Sequence, residues 1–172
     1  MDGVTPPKLQ RARGRIDLHL CGSKIERLYQ SDSAKLMLPK TYGEMTEAVM
    51  LNTAGGITGG DVLDIQVRAQ NCALVATTQT AERLYRSSTA PAQISIDLFA
   101  DNSAELHWLP QETILFNKSQ LARTIEIDID ASTTLWQQIR DVDLLADADG
   151  DIWKLSCAPA SAPALIAKLF DQ

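Results

Sequence analysis

Aromatic residues make up only 5% of this 172-residue chain, and histidine occurs twice. Its three cysteines, Cys21, Cys72 and Cys157, are odd in number and widely spaced. That spacing excludes a disulfide framework and a paired-cysteine zinc motif, and it fits a reducing compartment. Neither His19 nor His107 stands in a Ser/His/Asp or Cys/His context, so no nucleophilic catalyst is visible. His19 and Cys21 fall on one face of an expected strand, yet a closed zinc site needs about four ligands. No apolar run approaches the ~20 residues of a membrane helix. Arg11, Arg13 and Arg15 precede no apolar stretch, so no secretory signal is expected and the cytosol is the expected compartment. Positive charge is scarce as well: 16 Lys and Arg stand against 22 Asp and Glu, a net charge of −6. Without a basic stripe, nucleic acid is not an expected partner. The residues show no internal repeat and no low-complexity tract.

What remains is an ordinary globular composition, 45% hydrophobic and 22% charged, long enough for a substantial core. From about residue 15 to 130 the dominant pattern has a period of two. Ile16, Leu18 and Leu20 alternate with polar neighbours, as do Leu63, Ile65 and Val67. The same holds for Ile94, Ile96 and Leu98, for Ala104, Leu106 and Trp108, and for Ile125, Ile127 and Ile129. Each run buries one face and wets the other. Turn signals such as Cys21-Gly22-Ser23 and Asp101-Asn102 separate them. The expected fold is all-β or β-dominated: an antiparallel β-sandwich or a β-solenoid-like stack. Near Ser132 the pattern changes. Leu135, Ile139, Val142 and Leu145 have helical spacing, Ile152 to Cys157 reads as a short strand, and Ser161-Ala162-Pro163 opens a second short helix. Residues 1–133 therefore read as a β domain and 134–172 as a helical tail of different character.

Three segments concentrate chemistry. The first is Leu51-Asn52-Thr53-Ala54-Gly55-Gly56-Ile57-Thr58-Gly59-Gly60-Asp61. A phosphate-binding loop would need a lysine where Asp61 stands, and a carboxylate there repels phosphate. The run is either a rigid β-connection or a binding loop in which Asp61 presents oxygen. The second segment, Thr77-Thr78-Gln79 through Glu82-Arg83-Leu84-Tyr85-Arg86-Ser87, follows an apolar strand. It is either a strand end with local hydrogen bonds or a partner surface with Arg83, Tyr85 and Arg86 as contacts, residue types that recur at interface hot spots. The third is Trp108-Leu109-Pro110-Gln111-Glu112-Thr113-Ile114. Pro110 marks an edge, bulge or strand end. Trp108 is expected in the core. Glu112 is expected at the surface, with a metal or partner contact as its other reading.

In residue content, order and spacing these three segments resemble the urease accessory protein family UreD (UreH in some bacteria). The resemblance covers roughly residues 12 to 133, with Gly55, Gly56, Gly59, Gly60, Trp108, Pro110 and Gln111 as its marks. It implies a β-rich scaffold and not an enzyme. Such a scaffold joins the accessory protein UreF and the GTPase UreG on apo-urease to deliver Ni²⁺. No cofactor is held tightly, and nickel is transient cargo. The resemblance also implies a water-filled nickel passage, for which Asp61 is the best candidate and Glu112 a weaker one. A delivery protein needs releasable ligands, because N and S sites hold nickel tightly, and a chain without a His-rich tract suits that need. The family's next strands, expected after Thr133, are missing. The tail instead faintly resembles a stretch of the FAD-binding E subunit of glycolate oxidase, without a flavin-binding glycine segment. The rival expectations are a truncated partner-binding module that conducts no metal, and a flavin-linked or hydrolytic enzyme.

Overall fold

Inward-facing aliphatic residues at every second position build two stacked sheets. The computed structural model describes residues 10–88, 90–137 and 156–159. Its strands are β1 (Arg13–Cys21), β2 (Lys24–Asp32), β3 (Ala34–Met37), β4 (Thr46–Asn52), β5 (Val62–Gln70), β6 (Ala73–Thr78), β7 (Glu82–Leu84), β8 (Ala92–Asp101), β9 (Glu105–Leu109), β10 (Thr113–Leu115), β11 (Leu121–Ile129), β12 (Thr134–Gln137) and β13 (Ser156–Pro159). A six-stranded sheet runs β13-β11-β8-β5-β1-β2, a five-stranded sheet β12-β9-β6-β4-β3, and a small sheet pairs β10 with β7.

From β5 onward the chain visits the sheets in rotation, and each circuit lays a strand beside its predecessor. Leu63 pairs with Ile94 and Ile94 with Arg123, spacings of 31 and 29 residues. On the other sheet Leu74 pairs with Leu106 and Leu106 with Leu135, spacings of 32 and 29. This is the solenoid-like alternative, with a structural repeat that the residues do not show. Among the described residues the antiparallel expectation holds only for β1–β2 and β3–β4, and every other strand pair is parallel. Period-two patterning reports that one face is buried and is silent about strand direction. Parallel sheets usually have both faces covered, but here β8 keeps Ala92, Ile94, Ile96, Leu98 and Ala100 buried while Gln93 and Ser95 lie exposed.

The core lies between the two large sheets. Ile16, Leu18, Val67, Ile94 and Leu98 on one side meet Leu36, Met50, Leu74, Leu106 and Trp108 on the other. At the corners between sheets, Asn71 and Asn102 take positive φ of 48° and 55°, a conformation asparagine tolerates. Residues 134–137, expected to begin a helix, form β12 instead, because they extend the five-stranded sheet beside β9. The rest of that helix and the one opened by Ser161 lie outside the described residues. Residues 156–159 form a strand that joins β11. Among the described residues no helix is long and apolar enough to cross a membrane.

Candidate functional site

The three marked segments come together on a third face, around the small sheet. The glycine run leaves β4 and lies along β7 like a further strand. The Ile57 N–H donates to the Arg83 carbonyl at 2.8 Å, and the Tyr85 N–H donates to the Ile57 carbonyl at 2.7 Å. On the other side β10 pairs in parallel with β7, placing Ile114 beside Arg83. The third segment is also tied to the second through Thr77, whose hydroxyl donates to the Leu109 carbonyl at 2.6 Å, and through Thr78, whose hydroxyl accepts the Gln111 N–H at 2.9 Å. Pro110 sits just past the end of β9, where its missing N–H costs nothing. Trp108 is core, 2% exposed.

Two glycines are required by contact. A Cβ on Gly56 would stand 2.3 Å from Tyr85 Cε2, and one on Gly59 would stand 2.3 Å from the Ala90 carbonyl oxygen. Glycine lets the loop lie flush against β7 and beneath the Tyr85 ring. Gly55 and Gly60 take positive φ of 77° and 85°, which supplies the turns.

Asp61 closes the loop. It is 4% exposed. One carboxylate oxygen accepts the Ala12 N–H at 2.8 Å and the other accepts the Thr58 N–H at 2.8 Å. Its own carbonyl accepts the Gln93 N–H at 2.8 Å. Asp61 thus ties the loop to the chain before β1 and to the start of β8. No cluster of three His, Cys, Asp or Glu side chains able to hold a metal occurs among the described residues.

Outward from the small sheet point Arg83 and Tyr85 of the second segment, with Ile114 and Phe116 beside them. Tyr85 and Phe116 stack with ring centroids 5.1 Å apart and remain 42% and 46% exposed. Arg86 and Lys118 are exposed at the end of this array, where Arg86 bridges to Ser119. Glu112 is exposed at the opposite end, and its carbonyl accepts the Glu82 N–H. Inward, Glu82 accepts hydrogen bonds from the Arg123 guanidinium and, at 3.2 Å, from the Thr113 hydroxyl. Beside this cluster is a cavity of about 110 Å³ lined by Asn52, Gly55 and Gly56, by Thr78 to Arg83, and by apolar residues of both large sheets such as Ile16, Met50 and Leu63.

The predicted residues therefore assemble, but not with one role. Arg83 and Tyr85 share an exposed face and Arg86 is exposed at its end, whereas Asp61 is buried behind it. Ile114, Phe116, Glu82 and Arg123 were not singled out as site residues. Alternation at Ile114 and Phe116 was the available signal, and nothing local marks the long-range pairing of Glu82 with Arg123. The two histidines lie apart: His19 Nε2 is 2.5 Å from Gln70 Oε1 and His107 Nε2 is 2.8 Å from Glu105 Oε1.

Residues 10–138 match the family model described as UreD urease accessory protein. The chain is 44% identical over 129 residues to "Urease accessory protein UreD" of Jannaschia sp. (strain CCS1), covering 75% of this chain and 48% of that protein. The protein of the same name from Paracoccus denitrificans is 46% identical over 129 residues, 74% of this chain and 46% of its own length. The one from Agrobacterium fabrum is 41% identical over 137 residues, 77% and 48%. The chain spans about half the length of the curated relatives it matches, and the matched part holds all three converging segments. The family's name describes an accessory to an enzyme and not an enzyme itself. Glycines that admit the Tyr85 ring, a buried aspartate that locks their loop, and a family match spanning the whole constellation lead to one conclusion: the chain belongs to the UreD urease accessory protein family.

Proposed function

We propose that this chain is a non-catalytic scaffold of nickel-centre assembly, working in the cytoplasm with UreF and the GTPase UreG on apo-urease. The observation that carries the reading is the convergence of the three family segments on one exposed face. That face combines a rigid support with aromatic and arginine side chains, the types that dominate interface energies. Nickel is cargo in this reading. A path through oxygen ligands and water suits an ion that must be released, and the cavity behind Glu82 and Thr78 offers oxygen atoms of that kind. Asp61 supports the path by holding the loop. Direct ligation by Asp61 would compete with the two backbone amides it accepts.

The test is co-expression with UreF, UreG and apo-urease, followed by affinity purification and urease activation with Ni²⁺. The expected outcome is co-purification and Ni²⁺-dependent activity. No co-purification would remove the assembly reading. Docking without activation would favour the second reading, a partner-binding module that conducts no metal. The observation favouring that second reading is Asp61, whose two carboxylate oxygens are already taken by the Ala12 and Thr58 amides.

A further inference from the structure

The outer array of the small sheet has a charge opposite to that of the molecule. The chain carries a net charge of −6, yet this face presents Arg83, and the loops at its end carry Arg86 and Lys118, all exposed. The nearest carboxylate in the strands, Glu82, is turned inward and spent on Arg123. Glu112 stands at the far end. Between the cations lie the stacked Tyr85 and Phe116 rings and Ile114, each more than 40% exposed. Parallel pairing of β7 and β10 fixes the spacing of this array, and the glycine loop backs the Tyr85 ring. A rigid aromatic platform flanked by guanidinium groups binds best to an apolar side chain set among carboxylates.

From this we infer that the face made by Arg83, Tyr85, Arg86, Ile114, Phe116 and Lys118 docks an acidic protein segment carrying an apolar anchor. The inference rests on the assembly reading above and specifies the partner's chemistry. Apolar contact with the rings supplies the short-range energy, while the cations steer and orient the acidic segment. Binding therefore weakens as salt rises, since rim charges are screened within about 8 Å at physiological ionic strength.

The experiment uses the full chain and the co-purified assembly described above, with retention measured at 50 and 500 mM NaCl. Arg83→Glu with Arg86→Glu is expected to lower retention at least about tenfold, Arg83→Lys with Arg86→Lys to keep most of it, and Phe116→Ala to lower it about tenfold. Asp128→Ala, on the six-stranded sheet, is the control, and unchanged thermal melting shows that each variant folds. Wild-type capture that the charge reversal leaves untouched, or that does not weaken in 500 mM NaCl, overturns this docking face and leaves the assembly reading standing. Failure of the wild-type chain to capture any partner overturns both. Vesicles of phosphatidylcholine with 30% phosphatidylglycerol form the last arm. Charge-dependent binding to them without capture of protein would place a lipid surface here and overturn the acidic segment.

Discussion

Asp61 illustrates how a residue that looks like a ligand can be a fastener. Its two oxygens accept two backbone amides from segments 49 and 3 residues away, and its side chain is shielded from water. Removing a buried acceptor leaves two N–H groups unsatisfied, at roughly 1–3 kcal/mol. Asp61→Ala is therefore expected to lower Tm by several degrees, and Asp61→Asn, which keeps one acceptor oxygen, by less. Thermal melting by circular dichroism checks this, and equal melting of wild type and Asp61→Ala would sink the fastening role. The residue type and its position after Gly60 were readable from the sequence. Its burial was not, because the partner Ala12 is brought there only by the pairing of β1 with β5.

Among the elements, the corners between sheets are as informative as the strands. The Asn71 N–H donates to the Asp101 carbonyl at 3.3 Å, and in the next circuit the Asn102 N–H donates to the Asp130 side chain at 2.8 Å. Asp130 also accepts the Thr133 hydroxyl at 2.7 Å, the Ser132 hydroxyl at 2.8 Å and the Ser132 N–H at 2.9 Å. These donors, the Thr133 hydroxyl foremost, hold the Asp130 carboxyl down at about 2, below its ordinary 3.8. A carboxyl whose value falls on folding stabilises the fold above its ordinary value, and that contribution is lost as pH drops through the folded one. The corner is thus expected to weaken between about pH 4 and pH 2. A carbon-detected NMR titration of the Asp130 carboxyl should give a midpoint near 2, and a midpoint near 3.8 would show that the hydrogen bonds do not form. On the open face of the six-stranded sheet the opposite holds. Burial, with Glu126 and Asp64 alongside, pushes the Asp97 carboxyl up. The pairing of Asp97 with Glu126 reflects parallel stacking, which places like positions of successive circuits side by side, while Asp64 lies two residues off that register.

At the scale of the whole molecule, stacked circuits make stability a sum over neighbours. Strands β5 and β8 have partners on both sides within one continuous core, whereas β2 and β3 end their sheets. Every position of β2 but one is exposed. Amide hydrogen exchange is expected to be slowest in β5 and β8 and fastest in β2, the exposed edge strand, with protection falling by orders of magnitude between them. Uniform protection across all strands would instead mean a single cooperative unit.

Composition and period-two patterning by themselves determined the β-class, the inward residues of β1, β5, β8 and β9 and the strand end at Pro110, since each depends on neighbours within a few residues; the family was legible in the resemblance carried by the three marked segments. Tertiary structure alone decided the rest. Strand direction, the circuit of about 30 residues, the union of three segments in one face and the outward aim of Phe116 all depend on pairings between residues some 30 apart. A period of two tells which side of a strand is dry, and only the closed circuit tells which strand lies beside it.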